Sequence, residues 1–108
     1  MIRAALGLLL ALALSACADP AACTEACDRP FAIAEREGEA MAAVWSKMPE
    51  PLASESAAAV AAWRASLADA RAAYVSSCVP GCEKSRPEVV RCRRMAGNLG
   101  EWKRCEGQ

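Results

Sequence analysis

The sequence predicts an all-α protein: a disulfide-stapled antiparallel helical hairpin with a short third C-terminal helix. Three observations carry that expectation. Two identical C-x3-C spacings, Cys23 to Cys27 and Cys78 to Cys82, frame the middle of the chain, apolar or small residues recur between them in steps of four and three, and Pro49 and Pro51 divide the interval. Cysteines four apart share one helix face. The rhythm of fours and threes is that of a helical seam, and the prolines mark the breaker at which the chain turns back.

Composition sets the compartment and excludes several chemistries. A chain of 108 residues holds one domain at most. Seven cysteines in that length are typical of oxidised, exported scaffolds. Histidine is absent, which removes the commonest general base and the commonest metal ligand. The formal charge is zero, with acidic residues favoured before Cys78 and basic ones after it, and no nucleic-acid signature results.

The first sixteen residues read as an address. Met1 to Arg3 are positive and Ala4 to Leu14 are apolar. That run is too short to cross a hydrocarbon layer of about 30 Å, which needs roughly 20 apolar residues. It ends in Leu14-Ser15-Ala16-Cys17, which resembles the lipobox of bacterial lipoproteins. In that family the cysteine thiol receives a diacylglycerol, the leader is cut before it, and the new amino terminus is acylated. The resemblance implies a signal peptide over 1–16, lipidation of Cys17, a tether over 17–22, and a membrane partner held through the acyl chains. It places the protein in the bacterial cell envelope, and Ala18 in place of an aspartate after Cys17 points toward the outer membrane, on its periplasmic side or surface. Ala16-Cys17-Ala18 also satisfies the small-x-small rule for simple secretion with cleavage after Ala18. Either route leaves six cysteines, an even number that suits a fully paired framework.

Residues 23–82 are expected to form the hairpin. If the two C-x3-C helices are antiparallel, Cys23 meets Cys82 and Cys27 meets Cys78, and both pairs mirror about positions 52 and 53. The same mirror sets Phe31 against Tyr74, Gly38 against Leu67 and Trp45 against Val60, with Met41 one place from Trp63. Asp19 and Pro20 suit the start of the first helix as cap and first-turn residue. Pro30 interrupts it, so the helix is expected to restart near Asp28. Alanine dominates Ala57 to Ala73 and favours the second helix, for which Ser54 or Ser56 is the expected cap. Glu35, Arg36, Glu37 and Glu39, and on the return arm Arg64, Asp69 and Arg71, are placed on the faces away from the seam. Each arm would run roughly 30 to 38 Å. So slender a body encloses little, and the first crosslink, closing a loop of about 50 residues, contributes on the order of 4 kcal/mol in the chain-entropy model.

Residues 83–108 complete the chain. Ser85-Arg86-Pro87-Glu88 starts the third helix, Val89 to Ala96 continues it, and Gly97 to Gly100 reads as a turn before a short tail. Cys92 and Cys105 are left to pair and would tie the tail to that helix, among the fifteen connectivities that six cysteines allow.

The twin C-x3-C hairpin is similar in layout to the small chaperones of the mitochondrial intermembrane space and to plant alpha-hairpinins. Four cysteines and one hairpin carry that resemblance, which implies the fold. Chaperone activity does not follow, because the two motifs stand much further apart here and the leader is of bacterial type.

No nucleophile with a base, paired carboxylates or phosphate-cradling glycine loop is visible, so no catalytic residue, cofactor or metal ligand is assigned. Arg91, Arg93, Arg94, Lys103 and Arg104, with Trp102 among them, form a basic cluster suited to anionic headgroups or an acidic partner; as a bland reading they are a solvated helix face with one core tryptophan. Trp45, Trp63 and Tyr74 are read as seam residues rather than a ligand cage. The expected function is that of a non-enzymatic envelope lipoprotein, a structural or protein-binding helical module. The alternative is a thiol-redox or metal-handling protein, which requires free thiols.

Overall fold

The computed structural model describes residues 18–107. The leader and Cys17 lie outside the described residues. Those described form four α-helices, α1 Pro20–Trp45, α2 Leu52–Glu83, α3 Pro87–Met95 and α4 Leu99–Arg104, followed by a 3-10 turn at Cys105–Gly107. No strand occurs among the described residues. The chain is therefore an all-α hairpin of α1 and α2, with α3 and α4 laid against the end of α1 that carries the cysteines. None of the described helices is long and apolar enough to cross a membrane.

The helix α1 begins as its sequence demands. Asp19 caps it by accepting the Ala21 N–H at 3.3 Å, and Pro20 takes the first helical position, where a missing N–H costs nothing. The segment 17–22, expected as a tether, is helical from Pro20, and Ala18 is buried. Pro30 does not restart the helix, which runs unbroken from Pro20 to Trp45. The reason lies in α4: the carbonyl of Ala26, which the Pro30 nitrogen cannot serve, accepts the Trp102 indole N–H at 2.9 Å.

In α2 the expected serine caps are replaced by a carboxylate. The helix starts at Leu52, ahead of both serines, and Glu50 accepts from the Ser54 N–H at 3.3 Å and its hydroxyl at 2.6 Å. About eight more residues of α2 than of α1 separate the Cys27–Cys78 bridge from the fold-back, so α2 starts roughly 12 Å further out. Residues 46–51 climb that step. Trp45 consequently lies beside Ala59 and Val60, as the mirror predicts, while the turn itself precedes positions 52 and 53.

The seam keeps its predicted Phe31 to Tyr74 contact, with ring centroids 5.4 Å apart. Gly38 meets Trp63, whose indole occupies the space a side chain on Gly38 would need: an added Cβ would stand 2.2 Å from Cη2 and 2.4 Å from Cζ2. Charges flank the seam and bridge it. Arg64 grips Glu39 with two hydrogen bonds of 2.6 Å, and Arg71 binds Asp28 through Nε and Nη2 and Glu35 through Nη1 at 2.7 Å. A long arginine next to the interface reaches across it with its fork, which is why helical spacing alone places these residues on outer faces.

At α3 the missing N–H of Pro87 again opens the helix, and no side chain caps it. The expected turn and tail become α4, with Asn98 as cap: its Oδ1 accepts the Glu101 N–H at 2.9 Å while Glu101 reaches back to the Gly97 N–H at 2.7 Å.

Candidate functional site

Among the described residues two regions carry chemistry or exposed apolar surface, one at each end of the hairpin. The base is built from disulfides. Cys23 joins Cys82, Cys27 joins Cys78 and Cys92 joins Cys105, with Cα separations of 5.6, 6.0 and 5.7 Å. The first two pairs are those set by the antiparallel mirror, and the third ties α3 to the chain end. Cys23, Cys27 and Cys105 are fully buried, and Ala18, Ala26, Cys82 and Val90 pack around the first two. Such sulfurs are structural in character, being both oxidised and shielded.

Arginines then lock α3 and α4 onto α1. Arg29 donates to the Ala96 carbonyl and Arg36 to that of Gly97, each at 2.7 Å. Both acceptors lie at the C-terminal end of α3, where unpaired carbonyls and the helix dipole favour a cation.

The basic cluster seen in the sequence is dispersed by this arrangement. Arg93 lies over the Trp102 ring, 4.4 Å from its centroid, and donates to Glu106 at 2.5 Å. Arg94 pairs with Glu25 of α1 at 2.7 Å. Arg91, Lys103 and Arg104 are exposed, Arg91 on α3 beside Ala18 and Asp19, the other two on α4. Two of the five side chains are thus spent inside the fold. Trp102, read as a core residue, is half-buried, with both parts of its chemistry used: the indole N–H serves Ala26 and the ring serves Arg93.

The other region is the tip of the hairpin. A groove of about 520 Å³ opens between α1 and α2, lined by Ala34, Gly38, Met41, Trp45, Ala59, Val60 and Trp63, with Glu37 at its edge. A second hollow of about 420 Å³, bounded by Trp45, Met48, Leu52, Glu55, Ser56 and Ala59, continues it toward the turn. Trp45 and Ala59 line both, so the two hollows adjoin along the hairpin. Met41, Val44, Met48 and Leu52 are about half exposed and Trp45 is 39 % exposed. Sequence reasoning assigns Trp45 and Trp63 to the seam and misses the groove. The available signal is Gly38: a glycine in a helical seam leaves room for a large side chain of the other helix, and the Trp63 indole takes it.

Electrostatics at the tip centre on the Arg64 to Glu39 pair. The hydrogen bond from Arg64 holds the Glu39 carboxyl below its ordinary value of 4.5, and the same bond raises Arg64. Closer to the base, hydrogen bonding to Asp28 raises Arg71. Among the described residues no group of three or more metal-ligating side chains comes together.

No family model, curated protein or solved structure matches this chain.

Proposed function

We propose that the protein is a small lipoprotein of a bacterial cell envelope, acylated on Cys17, whose stapled hairpin is a non-enzymatic structural or protein-binding module. The observation that carries this reading is the lipobox-like Leu14-Ser15-Ala16-Cys17 that ends the apolar run, and the burial of Ala18 at the stapled base bears on how such an anchor would hold the fold. The residue next to the lipobox cysteine is part of the rigid body, so acyl chains on Cys17 would hold the hairpin by its base. Two or more acyl chains give stable attachment, at about 0.8 kcal/mol for each buried methylene.

The thiol-redox or metal-handling alternative requires accessible thiols. Six cysteines in disulfides, three of them fully buried, favour the scaffold. Metabolic labelling with a palmitate analogue tests the anchor: the protein is expected to be marked and its Cys17→Ala variant unmarked, and equal labelling of both defeats the reading. Alkylation and mass spectrometry without reductant tests the scaffold, for which six masked cysteines are expected.

A further inference from the structure

We infer that the groove at the hairpin tip receives a basic amphipathic helix of a partner protein, an inference that rests on the protein-binding reading above. Its lining spans Ala34 to Trp45 on α1 and Leu52 to Trp63 on α2, each stretch about 17 Å long, or roughly three helical turns, and the two are staggered because α2 starts further out. The lining is apolar throughout except at its rim. A helix laid into such a channel presents side chains at i, i+3, i+4 and i+7 to it, and this channel offers Ala59 as a low point, with Trp45 and the Trp63 indole packed over Gly38 as walls. The half-exposed Met41, Val44, Met48 and Leu52 extend the apolar surface on the outer edges.

Charge selects the occupant. Glu37 lines the inner hollow and Glu55 the outer one. Neither carboxylate makes an ion pair among the described residues. Glu50 stands at the turn, and between Gly38 and Trp63 the only basic residue is Lys47. An incoming helix that is apolar on one face and carries lysine or arginine at its flanks satisfies both features. A second copy of this tip would bring like charge to like, and an anionic bilayer would be repelled by the same carboxylates.

The test uses the oxidised full chain in zwitterionic nanodiscs, with empty nanodiscs of the same lipid as the reference that removes peptide binding to lipid. The probes are two synthetic helices with the same leucine face, one carrying lysines on its polar face and the other glutamates. The lysine helix is expected to bind at least about tenfold more tightly than its glutamate twin. Ala59→Arg should abolish binding, and Glu37→Gln with Glu55→Gln should weaken it roughly 2- to 10-fold and flatten its salt dependence, with helicity unchanged in each variant. Equal binding of the twins, indifference to Ala59→Arg, or no binding overturns the inference. So does concentration-dependent dimerisation abolished by Ala59→Arg, which would assign the groove to a second copy. If Cys17 is acylated and six cysteines are masked while the lysine helix fails to bind, this inference falls and the anchored scaffold stands.

Discussion

The indole N–H of Trp102 donates to the carbonyl of Ala26 at 2.9 Å, the group that Pro30 leaves without its helical partner. A residue near the chain end thereby repairs a gap near its beginning. Trp102→Phe keeps an aromatic ring for Arg93 to lie over and removes the donor together with part of the ring volume. The expected cost is about 1 to 2 kcal/mol, since a part-buried carbonyl loses its hydrogen bond. In a Pro30→Ala background, where the substituted residue supplies its own N–H to the Ala26 carbonyl, the cost of Trp102→Phe should shrink. Thermal melts of the four chains measure this coupling, and an undiminished cost sinks the account.

Gly38→Ala is expected to destabilise the hairpin although alanine is the better helix former. Propensity favours the change by about 1 kcal/mol, but the new Cβ would stand 2.2 Å from the Trp63 ring. Overpacking costs about 1 to 3 kcal/mol, and the indole must swing out of the groove. The expected result is a lower melting temperature with a red-shifted tryptophan emission; a more stable variant contradicts the packing described.

Glu39 should titrate below an ordinary glutamate, because Arg64 favours its charged form. A carboxylate with a depressed folded value stabilises above its unfolded value and loses that contribution as pH falls through the folded one. Arg64→Gln should return the Glu39 titration, followed by NMR, to the ordinary range. Both side chains are solvent-exposed, so the global stability at neutral pH should change little.

Cys92→Ser with Cys105→Ser opens a loop of 13 residues. In the chain-entropy model the loss is about 3 kcal/mol, and it should fall on α3 and α4. Hydrogen exchange is expected to rise across those helices while the middle of α1 and α2 stays protected. Uniform loss of protection throughout the hairpin is the contrary result.

Much of this fold is legible in the chain itself. The paired C-x3-C motifs specify two antiparallel helices and their crosslinks, because a helix fixes which residues share a face and a disulfide needs Cα atoms about 6 Å apart. Long-range hydrogen bonds are less legible. Nothing in local pattern reveals that Trp102 reaches Ala26 or that Arg29 and Arg36 find the end of α3, though Pro30 announces an unserved carbonyl. The short helix α4 is hidden by Gly97 and Gly100, which read as a turn, while Asn98 with Glu101 three places on is a capping signature in plain view. The groove is hidden for a different reason: periodicity marks Trp45 and Met41 as inward, but two helices have only one side on which to bury them.

The crosslinks are gathered at one end. Beyond the Cys27–Cys78 bridge roughly 27 Å of α1 runs to Trp45 with no crosslink to α2, and at the far end residues 46–51 of the turn join the two arms. The hairpin is thus a ring closed by sulfur at its base and by backbone at its tip, so any parting of α1 from α2 is a bowing of the span between and not a spreading of free ends.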